Sequence, residues 1–110
     1  MGFPDCSPLR TVQKMSTLHI EHPITDFATW SAAFARFAEA RRNAGVRAER
    51  ILCPADDDSY VMVQLDFETS DAAVAFKDFL TTVVWTSADN APGLAGTPRA
   101  LVLDQHAPGA

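Results

Sequence analysis

TLHIEHPITDFATWSAAFARF, Thr17 to Phe37, changes its hydrophobic period halfway. As far as His22 it alternates. Leu18 and Ile20 point one way and Thr17, His19 and Glu21 the other, which is the period of a strand. Pro23 has no amide hydrogen with which to continue a ladder. Thr25 and Asp26 supply helix N-cap chemistry and a first-turn acid. From there Phe27, Trp30, Phe34 and Phe37 recur every three or four residues, the spacing of one helix face. Arg41 and Arg42 suit the negative end of a helix dipole, and Gly45 suits the left-handed residue that follows a last turn. The stretch therefore predicts one strand, then one helix that ends at the arginine pair.

The same signature returns downstream. In YVMVQLDFE, Tyr60 to Glu68, Val61, Val63, Leu65 and Phe67 line one face while Tyr60, Met62, Gln64 and Asp66 line the other. Thr69, Ser70 and Asp71 repeat the cap. Ala73, Phe76, Leu80 and Val83 then make a second helical stripe, with Phe79 flanking it. Between the two halves, Val46 to Cys53 reads as a strand. PADDDS, Pro54 to Ser59, reads as a turn, because three neighbouring acids cannot be buried together. Thr86 to Pro98 holds Asn90, Pro92, Gly93, Gly96 and Pro98 and reads as a loop. RALVLD, Arg99 to Asp104, is a last strand. The order is β-α-β-β-α-β, built as two split βαβ halves. Right-handed crossovers place both helices on one face of one antiparallel sheet. The predicted fold class is α+β, a ferredoxin-like sandwich over residues 16–106, with residues 1–15 and 107–110 as tails.

Bulk properties agree with one small domain. The chain has 110 residues, 47% of them hydrophobic, enough for a core and too few for two. A net charge of −5 and a single basic pair, Arg41-Arg42, speak against a phosphate-binding surface and so against nucleic acid. No apolar run is long enough for a membrane span, and the first residues lack the apolar core of a secretory signal. Cys6 and Cys53 make neither a CxxC pair nor a zinc set, so a reducing, cytoplasmic setting is expected. No Gly-rich phosphate loop calls for a nucleotide. The RNA-recognition domain shares this element order, but Met62 and Gln64 stand where its stacking rings belong.

A sandwich with its helices on one side leaves the other sheet face bare. That face holds His19, Glu21, Tyr60, Met62, Gln64 and Asp66. Tyr and Met resist exposure, while His, Glu, Gln and Asp resist dry burial. Two such sheets facing each other would enclose a lined cavity, which suits both.

The halves LHIEHPITDFATWSAAFARFAEARRNAGV and YVMVQLDFETSDAAVAFKDFL, in this order, resemble the dimeric α/β-barrel superfamily over roughly Ser16 to Gln105. VVWTSADNAPGLAGTP looks like the matching segment of small actinobacterial proteins loosely termed cyclases. That superfamily includes cofactor-free monooxygenases and cyclases of aromatic polyketides, haem proteins, muconolactone isomerases and members of unknown role. The resemblance implies a homodimer paired sheet to sheet, a small hydrophobic oxygenated ligand, and cofactor-independent oxygenation or cyclisation. It supplies no catalytic signature that matches residue by residue. An enzyme and a non-catalytic ligand-binding or structural homodimer both fit.

Within that frame His19 is the candidate proton carrier, with Glu21 on the same side of the strand. The competing reading is a histidine satisfied at a subunit seam. Tyr60 and Gln64 share its face and suit hydrogen bonds to a phenol or ketone, and Met62 lies between them. Trp85 falls off the second helical stripe and either walls a pocket or packs beneath the Thr86 to Pro98 loop. His22 points away from His19 and reads as a turn or helix-facing residue. Because they sit on opposite faces, the two histidines cannot converge on one ion, and no metal site is expected. Haem would need His19, His22 or His106 as an axial ligand in a large apolar pocket. No cofactor is expected.

Overall fold

The computed structural model describes residues 15–86, 91 and 93–106. The elements in order are β1 (Ser16–Pro23), α1 (Phe27–Arg36), α2 (Ala38–Asn43), β2 (Ala48–Leu52), β3 (Tyr60–Phe67), α3 (Ser70–Phe79), a π-helical turn (Leu80–Val84) and β4 (Arg99–Asp104). The strands form one sheet in the order β2-β3-β1-β4, and every neighbouring pair is antiparallel. This is the ferredoxin-like sandwich expected from the sequence. The tails assigned to 1–15 and 107–110 lie, Met15 apart, outside the described residues, as do Cys6, Asn90 and Pro92. Among the described residues no helix is long and apolar enough to cross a membrane.

The two central strands are locked in register by the alternation that identified them. Leu18 pairs with Leu65 and Ile20 with Val63, and these four with Val61 and Phe67 are buried. Trp30 from α1 and Phe76 from α3 join the same cluster, so the helices cover that face of the sheet. Both caps are side-chain caps. Asp26 accepts from the Thr29 amide at 2.9 Å and Thr69 from the Ala72 amide at 3.1 Å.

Three local departures from the sequence expectation shape the helix layer. The first helix is broken. α1 stops at Arg36, Phe37 adopts φ −101 and ψ 16, and α2 restarts at Ala38. The Phe37 amide reaches back only three residues, to the Phe34 carbonyl, which tightens the turn. The second helix ends in a π turn, where the Trp85 amide donates to the Leu80 carbonyl, five residues back, at 2.8 Å. The wider turn shifts the helical phase. Val83, expected on the buried stripe, is 45% exposed, and Val84 takes its place at 6%. Third, β2 is shorter than Val46 to Cys53, and all five of its residues are exposed because it forms a sheet edge.

The loop before β4 is stitched to the β1–α1 turn. Thr25 donates to the Gly93 carbonyl at 2.8 Å, Ala95 to the Pro23 carbonyl at 3.1 Å, and Ile24 bridges Leu94. Gly93 has φ +88, and a Cβ there would stand 2.9 Å from the Trp30 backbone nitrogen. Gly45 has φ +96 but open space around it. Gly45→Ala is expected to cost about 1–2 kcal/mol for the left-handed backbone alone. Gly93→Ala should cost roughly 3 kcal/mol or more, since the start of α1 must also move. Urea midpoints of the two variants measure the difference, and equal losses would show that the approach to Trp30 is not limiting.

Candidate functional site

The bare sheet face carries one continuous chain of hydrogen bonds. The Tyr60 hydroxyl donates to Glu21 Oε2 at 2.8 Å, and Glu21 Oε1 lies 2.8 Å from His19 Nε2. His19 Nδ1 is 3.3 Å from Gln64 Nε2, and Gln64 Oε1 accepts from Arg50 Nε at 3.0 Å. Arg50 grips both oxygens of Asp66 at 3.0 and 2.8 Å, and the Thr17 hydroxyl donates to Asp66 at 2.7 Å. Strand register makes this possible: Thr17 faces Asp66, His19 faces Gln64, and Arg50 faces Gln64 from the far side.

The chain has a direction. Arginine only donates, so the Gln64 carbonyl faces Arg50 and its NH2 faces His19. His19 Nδ1 is then the acceptor, and the network assigns its proton to Nε2, aimed at Glu21. Hydrogen bonds from His19 first and Tyr60 second hold the Glu21 carboxyl below its ordinary range. The same carboxylate pushes the Tyr60 phenol up. Arg50 holds Asp66 down, and Asp66 in turn raises Arg50.

His19, Glu21, Tyr60 and Gln64 are thus brought together, and Met62 stands on the same face opposite Glu21. Trp85 is not brought to them. It packs against the core on the helix side, so the sheet separates it from His19. The π turn is the reason, because its extra residue returns Trp85 to the side that regular helical spacing turns it from. Around the polar chain Leu52, Leu101 and Leu103 are exposed on the same face.

A second arrangement lies beneath the helices. A cavity of about 70 Å³, within about 590 Å³ of free space when its solvent-open mouth is counted, is lined by His22, Trp30, Phe34, Phe37, Arg41 and Trp85, with aliphatic side chains of the sheet and α3. Trp30 stacks on Phe34 with centroids 5.0 Å apart, and His22 meets Trp30 edge-on at 6.3 Å. Stiff rings that meet at such angles leave space between them that no rotamer fills.

Two polar groups border this apolar space. His22 is 3% exposed. Its Nδ1 donates to the Pro23 carbonyl at 2.9 Å. Burial holds the imidazole below its ordinary pKa, against the smaller opposing effect of the Pro23 bond. The ring is therefore neutral with its proton on Nδ1, and Nε2 carries a lone pair with no hydrogen-bond partner among the described residues. Arg41, 5% exposed, gives Nε to Glu49 and Nη1 to the Phe34 carbonyl, with its guanidinium 3.6 Å above the Phe34 ring. Its Nη2 has no hydrogen-bond partner among the described residues.

The expectation that His22 is a turn or helix-facing residue agrees with its place beside Trp30 on the helix side, whereas the sequence marks Arg41 only as a dipole partner and does not single out Arg50. For His22 the signal was present, since it shares strand parity with Leu18 and Ile20. For the arginines it was not, because their partners come from other elements.

No family model and no curated protein matches the chain. Solved structures do match it. A Streptomyces coelicolor monooxygenase from the gene ActVA-Orf6, in complex with nanaomycin D, superposes with a TM-score of 0.61 at 16% identity, covering 86% of this chain and 90% of that one. SnoaB, a cofactor-independent oxygenase from Streptomyces nogalater, gives 0.61 at 18% identity, covering 86% and 95%. A dimeric ferredoxin-like protein from an uncultured marine organism gives 0.58 at 7% identity, covering 88% and 92%. At these identities the likeness is one of fold.

The buried imidazole has a consequence for stability. Folded His22 binds fewer protons than unfolded His22 below the ordinary value of 6.5, so stability is complete above that value and falls as pH drops toward the folded-state value. Glu21 and Asp66, also depressed, lose their contributions only below their ordinary values of 4.5 and 3.8. The urea midpoint should therefore decline as pH falls below about 6.5, and His22→Asn should flatten part of that decline. Parallel curves for the two proteins would place the His22 ring in contact with water.

Proposed function

We propose that the protein is a homodimer that takes a small, apolar, oxygenated aromatic molecule into the cavity beneath its helices and oxygenates it without a bound cofactor. The observation that carries this reading is the aromatic-walled cavity bordered by a buried neutral imidazole whose Nε2 has no partner among the described residues. A neutral imidazole beside an apolar ligand is a general base for a phenol or enol, and positioned proton transfer contributes roughly 10²- to 10⁴-fold. Deprotonation makes an aromatic ring electron-rich enough to reduce dioxygen itself. The overall step balances without a cofactor: a methylene and O2 give a ketone and water, and the substrate supplies all the electrons. The nanaomycin D complex and the cofactor-independent oxygenase among the structural neighbours lend this chemistry weight.

The proton carrier in this reading is His22 rather than His19. Both His19 nitrogens are engaged by Glu21 and Gln64, and Trp85 lies across the sheet from it. The bare face serves instead as the dimer seam. Its polar groups Arg50, Asp66, Glu21 and His19 are hydrogen-bonded within one chain, which lowers the cost of covering them, Arg99 stands exposed opposite Glu21, and exposed Leu52, Leu101 and Leu103 gain by burial.

A dihydroxyanthrone is a suitable probe. At about a hundred times its Kd it should stabilise the protein by roughly 2.7 kcal/mol, seen as a rise in Tm. Oxygen uptake with formation of the matching quinone should fall by roughly 10²-fold or more in His22→Asn. A Tm shift without oxygen uptake would make the protein a carrier, and no shift would sink the cavity reading. Leu101→Glu combined with Leu103→Glu should convert a dimer to a monomer in sedimentation experiments, and an unchanged sedimentation coefficient would move the seam elsewhere.

A further inference from the structure

The helix layer has a weak joint at α2. Six residues make too short a helix to hold its shape in water alone, so its packing must hold it. Ala38, Glu39, Arg42 and Asn43 are exposed, and Arg41 is the one buried residue of the segment. The backbone is irregular at both ends. Phe37 leaves the helical region in front of α2, and its ring meets Phe79 of α3 edge-on at 6.5 Å. Gly45, with φ +96, follows behind.

Arg41 fastens this segment to two others. Its Nε donates to Glu49 on the edge strand β2. Its Nη1 donates to the Phe34 carbonyl of α1 at 2.7 Å, and the guanidinium lies 3.6 Å above the Phe34 ring. The same side chain stands between two spaces. The inner one is the cavity beneath the helices. The outer one is an open cleft between α2 and the start of β2, bordered by Ala38, Arg42, Val46, Arg47 and Glu49. Arg41 is the one residue that both linings share. The Glu49 side chain is 37% exposed, so solvent reaches this tie from the cleft.

We propose that Arg41 is a latch, and that the cavity exchanges its contents with solvent at the seam between α2 and β2. When Arg41 leaves Glu49, α2 swings on Phe37 and the cavity joins the outer cleft. A wall of close-packed rings does not open one side chain at a time. Opening falls to the segment with the fewest buried apolar contacts, and α2 is that segment of the wall. Glu49 does not line the cavity. It is a positioning residue that acts by holding Arg41 in place. The proposal deepens the reading of the cavity as a ligand site by supplying the route into it.

The test needs no ligand, so it is decided separately from oxygen uptake or probe binding. Val63 lines the cavity and is 2% exposed. In a full-length chain carrying Cys6→Ser, Cys53→Ser and Val63→Cys, alkylation of the single thiol by iodoacetamide reports how often the cavity opens. Hydrogen exchange of the Arg41 and Ala44 amides, bonded to the Phe37 and Ala40 carbonyls at 2.9 and 3.0 Å, reports how often α2 opens. Glu49→Ala removes a charged partner and should raise both rates roughly tenfold or more. Glu49→Gln keeps an acceptor and should fall between. Thr69→Ala removes the α3 cap, lowers global stability, and should leave both rates unchanged. If Glu49→Ala speeds α2 exchange but not alkylation, the route lies elsewhere and the proposal is overturned. It is equally overturned if Thr69→Ala speeds alkylation as much as Glu49→Ala does, since general loosening then admits the reagent. Should the Glu49 variants not fold, the urea dependence in the thiol-bearing parent decides. Alkylation and α2 exchange should both proceed through an opening that urea barely accelerates, while the amides of β1 and β3 follow global unfolding. Alkylation that follows global unfolding would rule out the latch.

Discussion

Everything in this molecule hangs on β1 having a neighbour on each side and a different chemistry on each face. A strand hydrogen-bonded to both β3 and β4 cannot rotate or slip to correct a misplaced side chain, since a one-residue slip would exchange its faces. Leu18, Ile20 and His22 are thereby committed to the helix side, and Thr17, His19 and Glu21 to the bare side. The first set joins the core and ends in a cavity. The second must find polar partners, and finds them in the even-numbered residues of β3 that the register sets opposite.

The bare face shows how a polar surface is organised by strand register. Arg50, Asp66, Glu21 and His19 are tied into one chain from Tyr60 to Thr17, and Arg99 stands exposed opposite Glu21. The orientation of each member follows from its neighbour, beginning with the one group that can only donate. Arg50 sits on the edge strand, yet it determines which nitrogen of His19 holds the proton. A fully satisfied network of this kind is rigid and specific, whereas a half-satisfied one would be costlier than an apolar face.

The helix side is governed by irregularity. The break at Phe37 and the π turn after Phe79 both border the cavity. Regular helices would carry Val83 inward and Trp85 away. The π turn buries Val84 instead and turns Trp85 to the wall, while the break at Phe37 lets α2 start afresh and lay Arg41 across the Phe34 ring. Interiors tolerate few voids. The space beneath the helices is walled by aromatic rings, with His22 and Arg41 at its border.

The fold was legible in the sequence because its signals are local. Period-two runs at Thr17–His22 and Tyr60–Glu68, caps at Asp26 and Thr69, and the PADDDS turn each depend on residues within reach of one another, and the order of such elements restricts the topology to a few choices. The strand parity that grouped His19 with Glu21, and Tyr60 with Gln64, is likewise local, which is why those residues meet. What the sequence could not contain was the phase of the second helix after Leu80, since a π turn is stabilised by what it packs against rather than by its own residues. That one inserted residue put Trp85 on the opposite side of the sheet from His19. Nor could it show that Arg50 would orient Gln64, or that Arg41 would turn inward to Glu49, because those pairings join positions brought together only by strand order. The sequence by itself determined the elements and the two faces of the sheet, through periodicity and capping. Only the tertiary structure decided which face holds a cavity, because a void is the joint property of side chains from every element around it.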